Sequence, residues 1–395
     1  MSDPPDPLRW WANVVIPGGS LAPGRGPAGA ERYLAFPRRE RPSHLIDPHL
    51  RGAVQDAVGR TGAGGSRAER IARQVAAAVA GIDRIRQNLP NSVHVVAAPD
   101  AVNLRAMLSE RLGRPVRLSI TAGPVRPNRK PVVRVFDPDE RLVAFAKVGW
   151  DAATAALIAT EADALGLLLS DPCPGIIAPE PIWSGDWHGH HVLLTRPLAV
   201  DHRVATDRAP DVEVGSLRLL AEHFPQTSSP LAESAYWQRL SRRLADAPDG
   251  SSLLVAIADA VGSDPMLFGA FHGDWSPWNL RRTPDRQQLF VWDWERFATD
   301  APVGLDAAHH HMQVHRFLRK QTVADAVEPV RAALRTDLPR LGVDPEAAAA
   351  VVMLELLEAL ARMTESGLAG QLAAPRAELV DALRSELAAP RGRVS

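Results

Sequence analysis

Three neighbouring stretches between residues 116 and 148 have the pattern of β-strands. Residues 116–120, 132–136 and 142–148 are continuously apolar or alternate between apolar and polar positions. The run Asp-Pro-Asp-Glu at 137–140 has the composition of a hairpin turn between the last two. An Ala- and Leu-rich stretch at 152–169 then predicts a helix that ends at the prolines following it.

The order of elements downstream indicates the fold class. Residues 180–184 and 191–195 predict two more strands around a Gly-containing turn. The chain then has helical patterns to its end, except for a strand–loop–strand segment near 268–295. Three strands, one helix, two strands and a helical body predict a bilobal α+β fold with a small antiparallel-sheet lobe and a mostly helical lobe.

The first 105 residues differ from the rest in pattern. Up to about residue 65 the chain is punctuated by Pro and Gly, with two short strand-like runs at 31–37 and 44–47. Helices are predicted at 67–87 and 99–112. The predicted divisions are therefore an N-terminal extension at 1–105, a small lobe at 106–197 and a large lobe at 198–395.

Composition excludes several classes of protein. The chain has 395 residues, of which 46% are hydrophobic and 23% charged, as in ordinary folded domains. Its formal net charge of -1 predicts no nucleic-acid partner and no attraction to an anionic membrane. The lone cysteine, Cys173, excludes a disulfide framework within one chain. We see no signal peptide and no apolar run of spanning length, which favours a cytoplasmic protein with no membrane partner.

The segment that begins at Phe271 contains the strongest chemical signal. Asp274 follows His272 and Gly273, Asn279 lies five positions after Asp274, and Asp293 lies fourteen positions after Asn279, beyond a strand-like run. Phosphoryl transfer to a hydroxyl needs a carboxylate that orients the hydroxyl and oxygen ligands that hold Mg²⁺. A hairpin between Asn279 and Asp293 would bring their oxygens together, and Mg²⁺ prefers such ligands.

These motifs resemble the signature of aminoglycoside phosphotransferases, choline kinases and related small-molecule kinases, which have a protein-kinase-like fold. The resemblance covers about residues 110–310 well and the first 105 residues not at all. It implies that Asp274 is the catalytic base and that Asn279 and Asp293 bind Mg²⁺. It also implies transfer of the γ-phosphoryl group of ATP or GTP to a hydroxyl of a small molecule such as a sugar or an antibiotic. Asp306 resembles a structural Asp that fixes the catalytic loop or caps the next helix.

The predicted nucleotide-binding residues lie in the small lobe and the helix after it. Lys147, at the end of an apolar strand, is expected to contact the α- and β-phosphates, and Glu161 to orient it. Backbone groups near Leu194 and Arg196 are expected to bind the purine. The loop at 121–130 is expected to cover the phosphates, although it contains only one glycine and its basic residues are equally well explained as a solvated hairpin tip.

The acceptor side is less well specified. Trp275 directly follows the predicted base and either lines the acceptor pocket or packs in the core. Glu355, Glu358 and Glu365 would attract a cationic acceptor or form an ordinary helical surface. The run His309, His310 and His311, together with His315, suggests a metal site, because His311 and His315 have i, i+4 spacing on a helix. No third ligand is evident.

Two other functions compete with a small-molecule kinase. A pseudokinase would bind nucleotide without turnover. A protein kinase is disfavoured because Gly273 replaces the usual Arg and the span from Asp293 to Asp306 leaves little room for an activation segment. The apolar cluster around Trp10 and Trp11 must be buried, so the extension either caps the small lobe or pairs two copies of the chain.

Overall fold

The computed structural model describes residues 7–39, 42–60, 67–98, 101–122, 130–200, 211–365 and 372–389. The chain has an α+β fold and divides into two compact units. Unit 1 contains Met1–Ala159 and Glu180–Pro197, and unit 2 contains Thr160–Pro179 and Leu198–Ser395. The predicted fold class, an antiparallel sheet with helices followed by a mostly helical body, is confirmed.

Unit 1 is built around one sheet. Its helices and strands are α1 (Pro7–Val15), β1 (Ser20–Pro23), β2 (Arg32–Phe36), β3 (His44–Ile46), α2 (Arg51–Arg60), α3 (Arg67–Ala80), α4 (Asp83–Arg86), β4 (Ser92–Val96), α5 (Leu104–Leu112), β5 (Arg117–Ala122), β6 (Pro131–Phe136), β7 (Leu142–Gly149), β9 (Pro181–Trp187) and β10 (His190–Thr195). Helix α6 (Ala152–Ser170) begins in unit 1 and ends in unit 2.

The N-terminal extension and the predicted small lobe share this sheet. The described strands lie in the order β1-β4-β2-β3-β5-β6-β7-β10-β9, and every neighbouring pair is antiparallel. The junction is the β3–β5 pair, in which Leu45 lies opposite Ile120. The extension therefore covers the edge of β5, which would otherwise expose unpaired backbone groups.

Alternating side chains form a core on each face of the sheet. One core contains Trp11 from α1 and Leu108 from α5, packed with Leu118 and Ile120 of β5. The other packs helix α2 against residues of β2 and β3. Trp11 is 1% exposed, and its indole N–H donates to the Pro42 carbonyl at 3.0 Å. The predicted burial of this aromatic cluster is thus achieved within unit 1.

The predicted helix at 67–87 is interrupted. Helix α3 ends at Ala80 and the short α4 begins at Asp83, with Gly81 between them. The face predicted to be buried is exposed at Val75 and Val79. Pairing of two copies of the chain through the extension stays a prediction.

Unit 2 contains the remaining elements. These are β8 (Ile176–Ile177), α7 (Val214–His223), β11 (Thr227–Pro230), α8 (Ala235–Leu244), α9 (Gly250–Val261), β12 (Pro265–Phe271), β13 (Leu280–Arg282), β14 (Leu289–Val291), β15 (Ala298–Pro302), α10 (Leu305–Gln313), α11 (Val323–Asp337), α12 (Ala348–Glu365) and α13 (Ala373–Ala388). Two small sheets, β11-β12-β15 and β13-β14-β8, lie among these helices. A π-helical turn, Val314–Leu318, follows α10.

Helix α6 is long and apolar enough to cross a bilayer by length and composition, so the expectation that no run has spanning length is wrong. Core helices pass the same test. Glu161 in the middle of α6 is 2% exposed and lies beside two other carboxylates of unit 2. About a third of the apolar window, 33%, is buried in the structure, and the buried, clustered carboxylate of Glu161 would be costly in hydrocarbon.

Candidate active site

The loop after β12 adopts a conformation that only glycine accepts at one position. Gly273 has a φ of 82°, and a Cβ placed there would lie 2.4 Å from the Arg296 carbonyl oxygen. The residue before Asp274 therefore has no room for a side chain. This close approach gives a physical reason for Gly at the position where protein kinases usually have Arg.

Asp306 holds this loop in place. Its carboxylate accepts the backbone N–H of His272 at 2.6 Å and of Gly273 at 2.9 Å, and the side chain is buried. Burial raises the pKa of Asp306 to about 6, and the two N–H donors oppose this shift. The predicted loop-fixing role is confirmed, whereas no side-chain cap of α10 is formed.

His272 connects the same loop to the end of β14. It is 0% exposed, and burial lowers its pKa to about 4, so the ring is neutral at pH 7. Its Nδ1 accepts the backbone N–H of Asp274 at 3.1 Å, and its Nε2 lies 3.2 Å from the Trp292 carbonyl. These partners require the tautomer with the proton on Nε2.

Asp274 is held by three side chains. Its Oδ1 accepts the hydroxyl of Ser276 and lies 2.9 Å from Nε2 of His309, and its Oδ2 accepts the Asn279 amide at 3.1 Å. Its side chain keeps 25% exposure. Burial would raise the pKa of Asp274, but the hydrogen bond and charge of His309 outweigh it and hold the pKa far below its usual range. The carboxylate is thus charged, fixed and still accessible.

A hairpin brings Asn279 to the neighbourhood of Asp293, as the sequence predicted. Leu280 pairs with Val291 in the β13–β14 ladder, and the Trp292 N–H donates to the Asn279 carbonyl at 3.2 Å. Asp293 itself has a φ of 73°, which is uncommon for a residue with a side chain. Such left-handed residues concentrate at functional sites, where the surrounding structure maintains them.

Three carboxylates converge at this position. Glu161, Asp293 and Glu295 each place a carboxylate oxygen within 4.8 Å of the others. Carboxylate and amide oxygens are the donors that Mg²⁺ takes in proteins. Asn279 uses its amide nitrogen on Asp274, so its amide oxygen is the atom left for a cation. The residues present therefore fit a hard divalent cation.

Helix α12 presents charged side chains on one face, at positions 355, 358 and 362. Glu355 contacts His309, and Glu358 pairs with Arg243 at 2.8 Å. Burial would raise the pKa of Glu358, but the charges of Arg243 and Arg362 outweigh it and lower the pKa. The Arg362 guanidinium also donates to the Gly273 carbonyl at 2.6 Å. Through Arg362, this face of α12 therefore contacts the loop that contains Asp274.

The acids that could attract a cationic acceptor are already paired. Glu355 and Glu358 are 3% and 4% exposed, and Glu365 pairs with Arg243 and Arg296. The interpretation of these three residues as an acidic acceptor surface is not supported, because Glu355 and Glu358 are buried and the exposed Glu365 is paired with two arginines, so their carboxylates exert little external field.

The histidines of α10 have separate partners. His309 lies between Asp274 and Glu355, His310 contacts the Trp275 carbonyl, and His311 pairs with Asp337 at 2.8 Å. His315, in the π-helical turn, contacts Gln321. His311 and His315, which have i, i+4 spacing, therefore contact different side chains.

Trp275 packs in the core of unit 2. It is 0% exposed, and its indole N–H donates to the Val212 carbonyl at 2.8 Å. This burial favours the packing interpretation over contact with an acceptor. Trp278, one position before Asn279, is instead 42% exposed and stacks edge-on against Phe317.

The predicted nucleotide-contacting residues of unit 1 lie on β7 and at the end of β10. Lys147 on β7 lies opposite Val132 on one side and Leu193 on the other. Leu194 is buried on β10. The Arg196 backbone N–H donates to the Glu180 carbonyl at 2.8 Å, which removes that donor from purine binding. Most of the predicted phosphate-covering loop, 123–129, lies outside the described residues.

Sequence reasoning missed four residues of the site. Ser276 and His309 contact Asp274, Arg362 contacts the catalytic loop, and Glu295 joins the carboxylate cluster. Ser276 and Glu295 lie inside the motifs and could have been included on that basis. His309 stands in a histidine run whose pattern suggests a metal site instead, and Arg362 carries no local signal. The two residues contact the loop from 35 and 89 positions away.

No protein-family model matches the chain, and no curated protein matches it. Solved structures that match include an aminoglycoside phosphotransferase from Streptomyces rimosus in complex with ADP and streptomycin. That match has 19% identity over 61% of this chain and 92% of the other, with a TM-score of 0.38. An aminoglycoside 2'-phosphotransferase of type IIIa in complex with GDP matches at 13% identity over 67% and 91%, with a TM-score of 0.42. An aminoglycoside 3'-phosphotransferase of type VIII matches at 18% identity over 62% and 93%, with a TM-score of 0.38. These three structures are aminoglycoside phosphotransferases, each less than 20% identical to this chain.

Proposed function

We propose that this protein is a Mg²⁺-dependent phosphotransferase that moves the γ-phosphoryl group of ATP or GTP to a hydroxyl of a small molecule. One observation carries the proposal. A fixed, charged and accessible Asp274 carboxylate shares a hydrogen-bonded loop with Asn279, and a hairpin joins that loop to a cluster of three carboxylates. Phosphoryl transfer needs an orienting carboxylate beside a cation site, and little other chemistry from the protein.

Asp274 would orient the acceptor. The hydroxyl donates its hydrogen bond to the carboxylate and directs an oxygen lone pair at the γ-phosphorus. The new O–P bond forms as the bond between the γ-phosphorus and the bridging oxygen breaks, so that the nucleoside diphosphate leaves. Asp274 accepts the hydroxyl proton as its oxygen bonds to phosphorus. The advantage is mainly one of position, because the carboxylate is already aimed before the acceptor binds.

Asn279 and Asp293 would hold Mg²⁺, with Glu295 as an additional carboxylate nearby. The cation supplies charge neutralisation on the phosphates when it is bound. Lys147 would contact the α- and β-phosphates. Glu161 lies with Asp293 and Glu295, so its charge would act beside the cation ligands.

The acceptor would not be recognised through an open acidic surface. The acids around Asp274 are neutralised by His309, Arg243 and Arg296. A polycationic substrate would gain little long-range attraction here, so neutral hydroxyl compounds such as sugars belong in any acceptor screen beside the aminoglycosides.

The decisive experiment is thermal unfolding with ATP or GTP, each with and without Mg²⁺, on the wild type and on Asp293→Ala. Ligand at a hundred times its dissociation constant stabilises by about 2.7 kcal/mol, a clear shift in the melting temperature. We expect a Mg²⁺-dependent shift in the wild type that Asp293→Ala loses. No shift with either nucleotide would contradict the proposal.

Turnover is then tested with Asp274→Asn across an acceptor panel. We expect the variant to keep its nucleotide-induced shift and to lose turnover by about a hundredfold or more. Wild-type binding without turnover of any acceptor would instead favour a pseudokinase, and phosphorylation of generic proteins would favour a protein kinase.

A further inference from the structure

His309 connects the catalytic loop to helix α12 through two short contacts. Its Nε2 lies 2.9 Å from Oδ1 of Asp274, and its Nδ1 lies 2.8 Å from Oε1 of Glu355. His309 and Glu355 are 4% and 3% exposed, so no bulk water competes for these contacts. We propose that His309, anchored by Glu355, is the positioning residue that orients the Asp274 carboxylate so that its Oδ2 receives the acceptor hydroxyl. This inference rests on the proposed function of Asp274.

The partners of His309 determine its protonation state. Both ring nitrogens face carboxylate oxygens, and an ionised carboxylate can only accept hydrogen bonds. A ring with one proton would therefore leave a lone pair directed at a buried negative charge. The doubly protonated imidazolium satisfies both carboxylates and offsets one of the two charges. Burial would lower the pKa of His309, but Glu355 and Asp274 together raise it to about 9.

The same contacts distinguish the two oxygens of Asp274. Oδ1 receives the Ser276 hydroxyl and the His309 ring, which occupy both of its lone pairs. Among the described residues, Oδ2 receives one donor, the Asn279 amide. The second lone pair of Oδ2 is therefore the position for an acceptor hydroxyl, and the partial exposure of the side chain allows access. Without His309 the carboxylate could rotate about its Cβ–Cγ bond and lose this distinction.

Two substitutions of His309 separate its two contacts. His309→Gln keeps an amide nitrogen near the position of Nε2, where it can donate to Asp274. His309→Asn keeps an amide nitrogen near the position of Nδ1, where it can donate to Glu355 but not to Asp274. Both replacements are neutral amides, so they remove the same charge. His311→Asn is the matched control, because His311 is on the same helix and contacts Asp337 instead.

Steady-state turnover with Mg²⁺ and the preferred nucleotide should separate these variants. One readout is hydrolysis of the nucleotide, measured as release of the nucleoside diphosphate when water is the acceptor. The other is transfer of the γ-phosphoryl group to any acceptor that the panel identifies. A misplacement of about 1 Å costs on the order of a hundredfold in rate. We expect His309→Asn to lower kcat by about that factor with unchanged KM for the nucleotide, and His309→Gln to retain at least tenfold more of the kcat. His311→Asn should match the wild type.

Nitrogen NMR of the histidine rings tests the contact without turnover. We expect one imidazolium signal that persists at pH 8 and is absent from both His309 variants. A wild type that binds nucleotide without turnover would overturn the proposed function. In that case the NMR signal alone decides whether His309 makes the charged contact.

Two results would overturn the positioning role. One is equal kcat in wild type, His309→Asn and His309→Gln. The other is an equal loss of kcat in both variants, because a purely structural residue would not distinguish the variant that keeps the donor to Asp274 from the variant that keeps the donor to Glu355. A singly protonated His309 ring at pH 7 would overturn the charged contact.

Discussion

The buried contact between His309 and its two carboxylates predicts a specific dependence of stability on pH. The pKa of His309 is raised from 6.5 to about 9 in the folded protein. A group with a raised pKa binds its proton more tightly in the folded state, so its stabilisation is complete below pH 6.5 and is lost as the pH rises through 9. When the folded and unfolded pKa values differ by one, the free energy of unfolding changes by about 1.36 kcal/mol. The full contribution of His309 is therefore about 3 kcal/mol. The contact between His309 and Asp274 also lowers the pKa of Asp274. Its free energy is therefore included once, in the value for His309, and is not added again for Asp274.

Other groups act on His309 besides its two partners. Ser276 contacts the ring, and the charge of Arg362 opposes its protonation. Asp306 and His272 also interact with it electrostatically. All of these groups remain in a His309 variant. The pKa values of Asp306, about 6, and of His272, about 4, lie at or below the lower end of the range from pH 6 to pH 10, so these two groups titrate mostly below it.

The measurement is the free energy of unfolding in urea, at several pH values between 6 and 10, for the wild type and His309→Gln. We expect the advantage of the wild type to be largest at pH 6 and to shrink by about 3 kcal/mol by pH 10. An advantage that stays constant with pH would show that His309 does not titrate across this range. An advantage that grows with pH would show that the folded protein prefers the neutral ring.

Two further substitutions test the frame of the catalytic loop. Gly273→Ala should destabilise the protein by about 2 kcal/mol or more in urea denaturation and lower turnover at least tenfold, because the new Cβ would meet the Arg296 carbonyl. The control is Gly342→Ala. Gly342 has a similar φ of 77° but open space around it, so this substitution should cost only about 1 kcal/mol in the same assay. Arg243→Leu should destabilise the protein by about 3 kcal/mol, because it removes the guanidinium that pairs with the buried Glu358 carboxylate. Substitution of its exposed neighbour, Arg242→Leu, should be nearly neutral. Equal effects of the two substitutions would refute the importance of the pair.

Local patterns were sufficient to predict several strands of unit 1 and the helix α6 that joins the two units. The predicted strands 132–136 and 142–148 correspond to β6 and β7, and the predicted helix 152–169 to α6. Asp137 forms the expected turn between the strands by accepting the backbone N–H groups of Asp139 and Arg141. In these segments hydrophobic alternation and turn chemistry agree with the final structure.

Long-range pairing was beyond such patterns. The β3–β5 pair, which joins the extension to the sheet, connects residues more than 70 positions apart and has no motif of its own. The face of α3 is an instructive failure, because its apolar spacing predicted burial and Val75 is 57% exposed. Periodicity identifies a helix face but not the surface that covers it.

In the candidate site, too, the residues within one segment could be predicted from the sequence, whereas the residues that reach the site from distant helices could not. Asp274, Asn279 and Asp293 lie within one strand–loop–strand segment, so a motif can describe them. The residues that set their geometry and charge come from α10 and α12, where no sequence motif connects His309, Glu355 or Arg362 with the loop. The motif supplies the Asp274 carboxylate. The hydrogen-bond donors around this carboxylate then give its two oxygens different environments. If His309 occupies one oxygen and the acceptor takes the other, the distant helices determine how the local motif is used.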